Sequence, residues 1–144
     1  MYTLLAALGI LIIDRVSKWY VAQVMELHES IPVIPGAFHW TYIYNRGAAF
    51  GIFENQQWFF LLIVVVLFAA YAWMWRRIPK RPLYFPVGIG MLLGGALGNA
   101  IDRVWLPGVV DFFDFRVWPI FNVADIGICV GMACIVWYFW RQDA

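Results

Sequence analysis

The sequence predicts an all-α membrane protein, a bundle of four transmembrane helices carrying a small extracytoplasmic β-sheet. Three observations carry that reading. Hydrophobic residues make up 64% of the chain and charged residues 13%, against roughly half and a quarter in a soluble domain. The apolar residues gather into four runs near the ~20 residues that a ~30 Å hydrocarbon core requires. The link between the second and third runs, Arg76-Arg77-Ile78-Pro79-Lys80-Arg81-Pro82, holds four cations and no acid.

The first run spans about Tyr2 to Val24. It has no basic leader and no clean small-residue cleavage site, and Asp14, Arg15 and Lys18 interrupt it, so a retained helix is expected rather than a cleaved signal peptide. Asp14 and Lys18 stand four apart, which stacks them on one helical face where they can pair. Met25 to Gln57 follows, punctuated by Pro32, Pro35 and Gly36, with Phe38-His39-Trp40-Thr41-Tyr42-Ile43-Tyr44 rich in strand formers. A small outer sheet is expected there.

The second run is about Trp58 to Trp75 and the third about Tyr84 to Ile101. In the third, Gly90, Gly94 and Gly98 recur every four residues, a groove into which another helix can pack closely. This third helix continues through Asn99, Asp102 and Arg103, spaced to share a face at its outer end, and Asp111 is expected in the loop that follows. The fourth run, about Phe121 to Trp140, opens with Asn122 and Asp125, again on one face. Cys129 and Cys134 lie five apart in it, off a common face, and are expected to be packing residues rather than a disulfide or metal pair.

By the positive-inside rule the basic link is cytoplasmic, which places both termini inside and the segments 25–57 and 102–120 outside. Trp58, Trp73, Trp75, Tyr84, Trp137 and Trp140 fall near span ends, where amphipathic rings favour the interface. Residues 1–144 are expected to form one membrane domain. The net charge of +1 speaks against a nucleic-acid partner.

Three aspartates stand in unusual company. Asp111 and Asp114 sit in Val109-Val110-Asp111-Phe112-Phe113-Asp114-Phe115, and Asp125 closes Phe121-Asn122-Val123-Ala124-Asp125. An ionised carboxylate among apolar groups neutralises or finds a partner. Topology brings Asp111 and Asp125 to the same outer depth, where a pair can share one proton and divide acid and base roles. Other chemistries are poorly supplied: Ser17 and Ser30 lack a nucleophile elbow, and His28 and His39 lack metal-ligand spacing. Two alternatives stand beside an aspartyl site. One is a proton relay or transport subunit using Asp14, Asp102 and Asp125, although a relay wants carboxylates spread through the bilayer; the other is a purely structural bundle.

Taken together, Asp14-Arg15-Val16-Ser17-Lys18, Tyr44-Asn45-Arg46-Gly47-Ala48-Ala49-Phe50-Gly51, Gly94 to Arg103, Val109-Val110-Asp111-Phe112 and Phe121 to Asp125 resemble the motifs of the lipoprotein signal peptidase (signal peptidase II) family, in order over most of the chain. The resemblance implies an inner-membrane aspartyl endopeptidase that removes signal peptides from diacylglyceryl-modified bacterial prolipoproteins, just before the lipidated cysteine. It implies Asp111 and Asp125 as catalytic dyad, with Asn45, Asn99, Arg103, Asn122, Asp14 and Lys18 binding substrate or supporting the site. Partners would be prolipoproteins and membrane lipid, with no metal and no other cofactor. Asp114 has no counterpart in the motif and is read as loop decoration, and Ile126 stands where many members carry serine.

Overall fold

A computed structural model describes residues 1–47 and 55–143. The motif residues Ala48, Ala49, Phe50 and Gly51 lie outside the described residues. Among the described residues, four helices, α1 (Tyr2–Val24), α2 (Gln57–Met74), α3 (Tyr84–Trp105) and α4 (Val123–Asp143), and three strands, β1 (Ser30–Ile34), β2 (Phe38–Asn45) and β3 (Val109–Asp114), follow in the order α1-β1-β2-α2-α3-β3-α4. Among the described residues, α2, α3 and α4 are long and apolar enough to cross a membrane. The fourth helix, α1, is 23 residues long but carries Asp14, Arg15 and Lys18. Asp14 and Lys18 are buried, while Leu4, Leu8, Ile12, Val16 and Trp19 are exposed. Its charges thus turn toward the bundle and its large apolar side chains away from it.

The third helix is the centre of the bundle, with α1 and α4 both packed on it. Its glycines set the distance. A Cβ on Gly90 or Gly94 would overlap the carbonyl oxygens of Thr3 and Ala7 in α1, and one on Gly95 would overlap that of Ala124 in α4. Lipid provides no hydrophobic drive between helices, so close backbone contact of this kind is what holds them. The expected Gly90–Gly94–Gly98 spacing thus serves the approach of α1, and Gly95, outside that spacing, serves the approach of α4. At the opposite end Phe85 stacks on Tyr138 at 3.8 Å. By contrast α2 has no buried residue and leans on α3.

Helix α3 continues to Trp105, so Asp102 and Arg103 are helical, as their spacing from Asn99 predicts. A correction concerns Val109–Asp114, expected as loop: it is strand β3, antiparallel to β2, in a sheet ordered β1-β2-β3. Both of its faces are covered. Val110 and Phe112 pack with Val21, Met25 and Tyr42 at the end of α1, whereas Val109 and Asp111 turn toward a cleft between the helices. A strand buried on two sides shows no clean apolar–polar alternation, which hides it in the sequence. Trp40 lies flat on Phe112, centroids 5.6 Å apart.

Asp114 is not decoration. Its Oδ2 accepts the Thr41 hydroxyl at 2.8 Å and the Arg116 guanidinium at 2.8 Å, and its Oδ1 accepts the Arg116 amide at 2.8 Å. Burial pushes this carboxyl up, but those donors outweigh it and hold the group below the ordinary range. Asp114 thereby ties β2 to the turn after β3, from which the chain returns as Phe121 bridges Phe113. That return delivers Asn122 beside Asp111 across a short interval. We expect Asp114→Ala, which strands three donors at once, to cost on the order of 1–3 kcal/mol of stability, read as a lower Tm in detergent. An unchanged Tm would return Asp114 to the status of a surface residue.

Candidate active site

Asn122 and Asp125 begin α4 with a reciprocal cap. The Asn122 Oδ1 accepts the Asp125 amide at 2.9 Å, and the Asp125 Oδ2 accepts the Asn122 amide at 3.1 Å. This is the capping-box logic, two otherwise orphaned N–H groups satisfied by one pair of side chains. The other Asp125 oxygen, Oδ1, accepts the Asn99 Nδ2 at 2.7 Å. On β3, Asp111 Oδ1 accepts the Asn122 Nδ2 at 2.6 Å and Oδ2 accepts the Asn45 Nδ2 at 2.9 Å. Each of the four carboxylate oxygens therefore meets an amide N–H, and Asn122 touches both aspartates.

Local backbone geometry supplies Asn45. A register shift between Trp40 and Ile43 leaves Ile43 opposite Asp111 and Asn45 opposite Val109. Without that bulge the parity of β2 would reverse and Tyr44 would occupy the face beside Asp111. Asn45 is then oriented by its own turn, since its Oδ1 accepts the Gly47 amide at 3.0 Å and leaves Nδ2 for the aspartate.

Behind the aspartates lies a cluster of four charges. Lys18 Nζ is 3.0 Å from Asp14 Oδ2 and 2.8 Å from Asp102 Oδ2, and Arg15 Nη2 is 3.1 Å from Asp14 Oδ2 and 2.7 Å from Asp102 Oδ1. The expected Asp14–Lys18 pair is present, but as half of a larger group. Arg15 and Asp102 are not among the expected site residues; adjacent helical residues do not face each other, so spacing gives no reason to pair Arg15 with Asp14. Lys18 also donates to Asn99 Oδ1 at 2.9 Å. Asp14 Oδ1 accepts the Ala124 amide at 3.0 Å and Asp102 Oδ2 accepts the Val110 amide at 3.1 Å. All eight expected site residues come together.

The aspartates form the polar end of a cleft of ≈ 530 Å³ whose walls include Phe60, Ile63 and Leu67 of α2, Leu92 of α3 and Met132 of α4. Arg103 stands over its mouth, 4.2 Å above the Phe60 ring, with long bonds of 3.3 Å to the Gly47 carbonyl and 3.4 Å to the Asn99 carbonyl. Its Nε is buried without a partner among the described residues. It thus turns from the face of Asn99 and Asp102 toward α2. Both thiols are free; Cys129 is exposed and borders the cleft rather than packing inside the bundle.

The family described as signal peptidase (SPase) II matches residues 6–141. Lipoprotein signal peptidases from Halothermothrix orenii and Moorella thermoacetica are 38% and 43% identical, covering 96% and 93% of this chain and 95% and 89% of theirs. One from Listeria welshimeri is 40% identical over 99% of this chain and 96% of its own. A bacterial membrane enzyme solved by the in meso method at 2.3 Å superposes with a TM-score of 0.90 at 34% identity, covering 99% of this chain and 89% of that one. A second, at 1.9 Å, gives 0.83 at 35%, covering 95% and 91%.

Burial first, and the charge of Asp125 second, push the Asp111 carboxyl up to about 7, against the Asn45 and Asn122 donors and the charge of Lys18. The folded chain then holds a proton that the unfolded chain releases near pH 4. Stability from this source is complete below about pH 4 and is lost as the pH rises through about 7. We expect the Tm of the parent to fall more steeply between pH 4.5 and pH 8 than that of Asp111→Asn, which has no proton to release. Parallel curves would remove burial as the dominant influence on Asp111.

Proposed function

The chain belongs to the signal peptidase II family, and on that premise we propose that it is a membrane aspartyl endopeptidase which cleaves the signal peptide from diacylglyceryl-modified bacterial prolipoproteins just before the lipidated cysteine. The observation that carries the reading is the meeting of Asp111 and Asp125, with an amide donor on each of their four oxygens, at the polar end of an apolar cleft. Two carboxyls so placed share one proton. The ionised member draws a proton from water as its oxygen attacks the scissile carbonyl, and the protonated member gives its proton to the carbonyl oxygen. The resulting diol collapses as a proton passes to the leaving nitrogen. The products are the signal-peptide carboxylate and the free amine of the cysteine.

The remaining parts fit that substrate. A signal peptide in lipid is a helix with its backbone bonds satisfied, so the bond to be cut must be drawn out at the interface. The apolar walls of the cleft suit the acyl chains and the signal helix, and Arg103 holds a buried Nε donor, without a partner among the described residues, that suits a peptide carbonyl. Asn45, Asn99 and Asn122 hold the carboxylates, and Asp14 and Lys18 hold the elements beneath them. A proton relay is less well served, because Asp14 and Asp102 are already committed to Arg15 and Lys18.

We read residues 1–144 as one domain of the bacterial inner membrane, with four spans, both termini cytoplasmic and the dyad at the extracytoplasmic face. The four cations of the link support this orientation. So do the interfacial pairs at that end, Arg76 on Trp75, Arg77 on Trp73 and Arg141 on Trp137. With Cys129 and Cys134 replaced by alanine, an impermeant thiol reagent applied to intact cells should label Arg46→Cys and spare Lys80→Cys. The reverse pattern would invert the topology.

Asp111→Asn and Asp125→Asn should each abolish measurable release of signal peptide from a lipidated prolipoprotein, since acid–base groups contribute roughly 10²–10⁴-fold each. The double change should cost little more, because groups acting as a unit are non-additive. Cleavage by the parent should decline as the pH rises through the value of about 7 at which Asp111 gives up its proton. Either variant, folded by its Tm and cleaving near the parent rate, would end the aspartyl reading.

A further inference from the structure

An asparagine amide can turn over with almost no change of shape, yet its two ends have opposite hydrogen-bonding sense. Asn99 lies between Lys18 and Asp125, and only one orientation serves both. Lys18 is 3% exposed, and its ammonium faces three acceptors: Asn99 Oδ1 at 2.9 Å, Asp14 Oδ2 at 3.0 Å and Asp102 Oδ2 at 2.8 Å. It can donate but not accept, so a reversed Asn99 would set an NH2 group against a buried cation. The Asn122 Nδ2 adds a second donor to Asn99 Oδ1 at 3.1 Å, although the shorter bond of that amide, 2.6 Å, goes to Asp111.

We propose that Lys18 is a positioning residue for the dyad, acting through Asn99: by claiming the carbonyl end of that amide it forces the NH2 end onto Asp125. This rests on the reading of Asp111 and Asp125 as the catalytic pair. With Asn99 so held, both oxygens of Asp125 meet donors, the setting of a carboxylate able to take a proton from water. A reversed Asn99 would offer Asp125 a carbonyl, which only a protonated carboxyl can satisfy, and the pair would lack its base. Among the described residues, the other charged groups near Asp125 are Asp111 from β3, Asp14 from α1 and Arg103 from α3; α2 carries none. Arg15 is the internal control. It bridges the same two aspartates as Lys18 but makes no bond to Asn99.

The test is the pH dependence of kcat and KM on a diacylglyceryl-modified prolipoprotein, using the full chain in detergent, with Tm recorded for every variant. A hydrogen bond to a charged group corresponds to about one to two pH units. Lys18→Met and Asn99→Ala should each move the acid limb of kcat upward by about that much, with KM nearly constant. The double variant should resemble either single one, and Arg15→Met should lower Tm while leaving the limb in place. Asn99→Ala keeps the charge of Lys18, so an unshifted limb there overturns the proposal. Effects that multiply in the double variant, or an equal shift in Arg15→Met, do the same. Should Lys18→Met not fold, Asp14→Asn with Lys18→Met leaves the cluster neutral and takes its place. Inactive Asp111→Asn and Asp125→Asn beside an unshifted Lys18 variant would remove only the role of Lys18; an active Asp111→Asn would remove the dyad itself.

Discussion

Four charges, two acids and two bases, are gathered where α1, α3, α4 and β3 meet, and the rest of the site hangs from them. Taking Asp14, Lys18 and Asp102 out of water costs several kcal/mol for each ion. The cluster is viable because it is neutral as a whole and all four carboxylate oxygens and the Lys18 ammonium are paired. Its two carboxylates do more than balance charge. Asp14 holds the Ala124 amide in the first turn of α4, where negative charge also meets the positive end of the helix dipole. Asp102 holds the Val110 amide next to Asp111. The two elements that carry the dyad are thus fastened to the same group.

That group can form only because the helices come unusually close. Where α3 passes α1, a Cβ on Gly98 would stand 2.6 Å from Asp14 Oδ2, so the residue that admits the neighbouring backbone also makes room for the carboxylate. Tight packing on those faces contrasts with α2, which buries nothing and leaves an apolar cleft along α3 and α4. One bundle therefore contains a closely packed half that mounts the carboxyls and a half that leaves an apolar cleft open beside them. Rigid mounting matters for acid–base chemistry, in which small displacements of the reacting groups are expensive.

At the dyad, polar neutrality is replaced by directed donors. Three asparagines, from β2, α3 and the cap of α4, reach the two aspartates. An asparagine suits this task because it is uncharged at every working pH and so leaves the proton count of the pair to the pair itself. Its weakness is that it can reverse. Each of these amides is accordingly pinned at its oxygen, Asn45 by the Gly47 amide, Asn99 by Lys18 and Asn122 by the Asp125 amide.

Much of this was legible in the chain. Composition and run length place the helices, because hydrocarbon thickness is a one-dimensional constraint; α1 runs over the expected residues and α2 is displaced by one. The pair Asp14–Lys18 and the pair Asn122–Asp125 follow from helical spacing alone, and the resemblance brought Asn45, Asn99, Arg103 and Asp111 to the same place. The rest depends on contacts between distant segments. Strand β3 is covered on both faces and shows no period, so its apolar run reads as loop until α1 and the cleft are placed against it. The bulge that exchanges Tyr44 for Asn45 beside Asp111 is a matter of pairing register, invisible in β2 by itself. Arg15, Asp102 and Asp114 acquire their roles from partners 73 to 87 residues away in the chain; local rules describe neighbours along a helix or strand, whereas a buried charge is defined by whatever the fold brings to it.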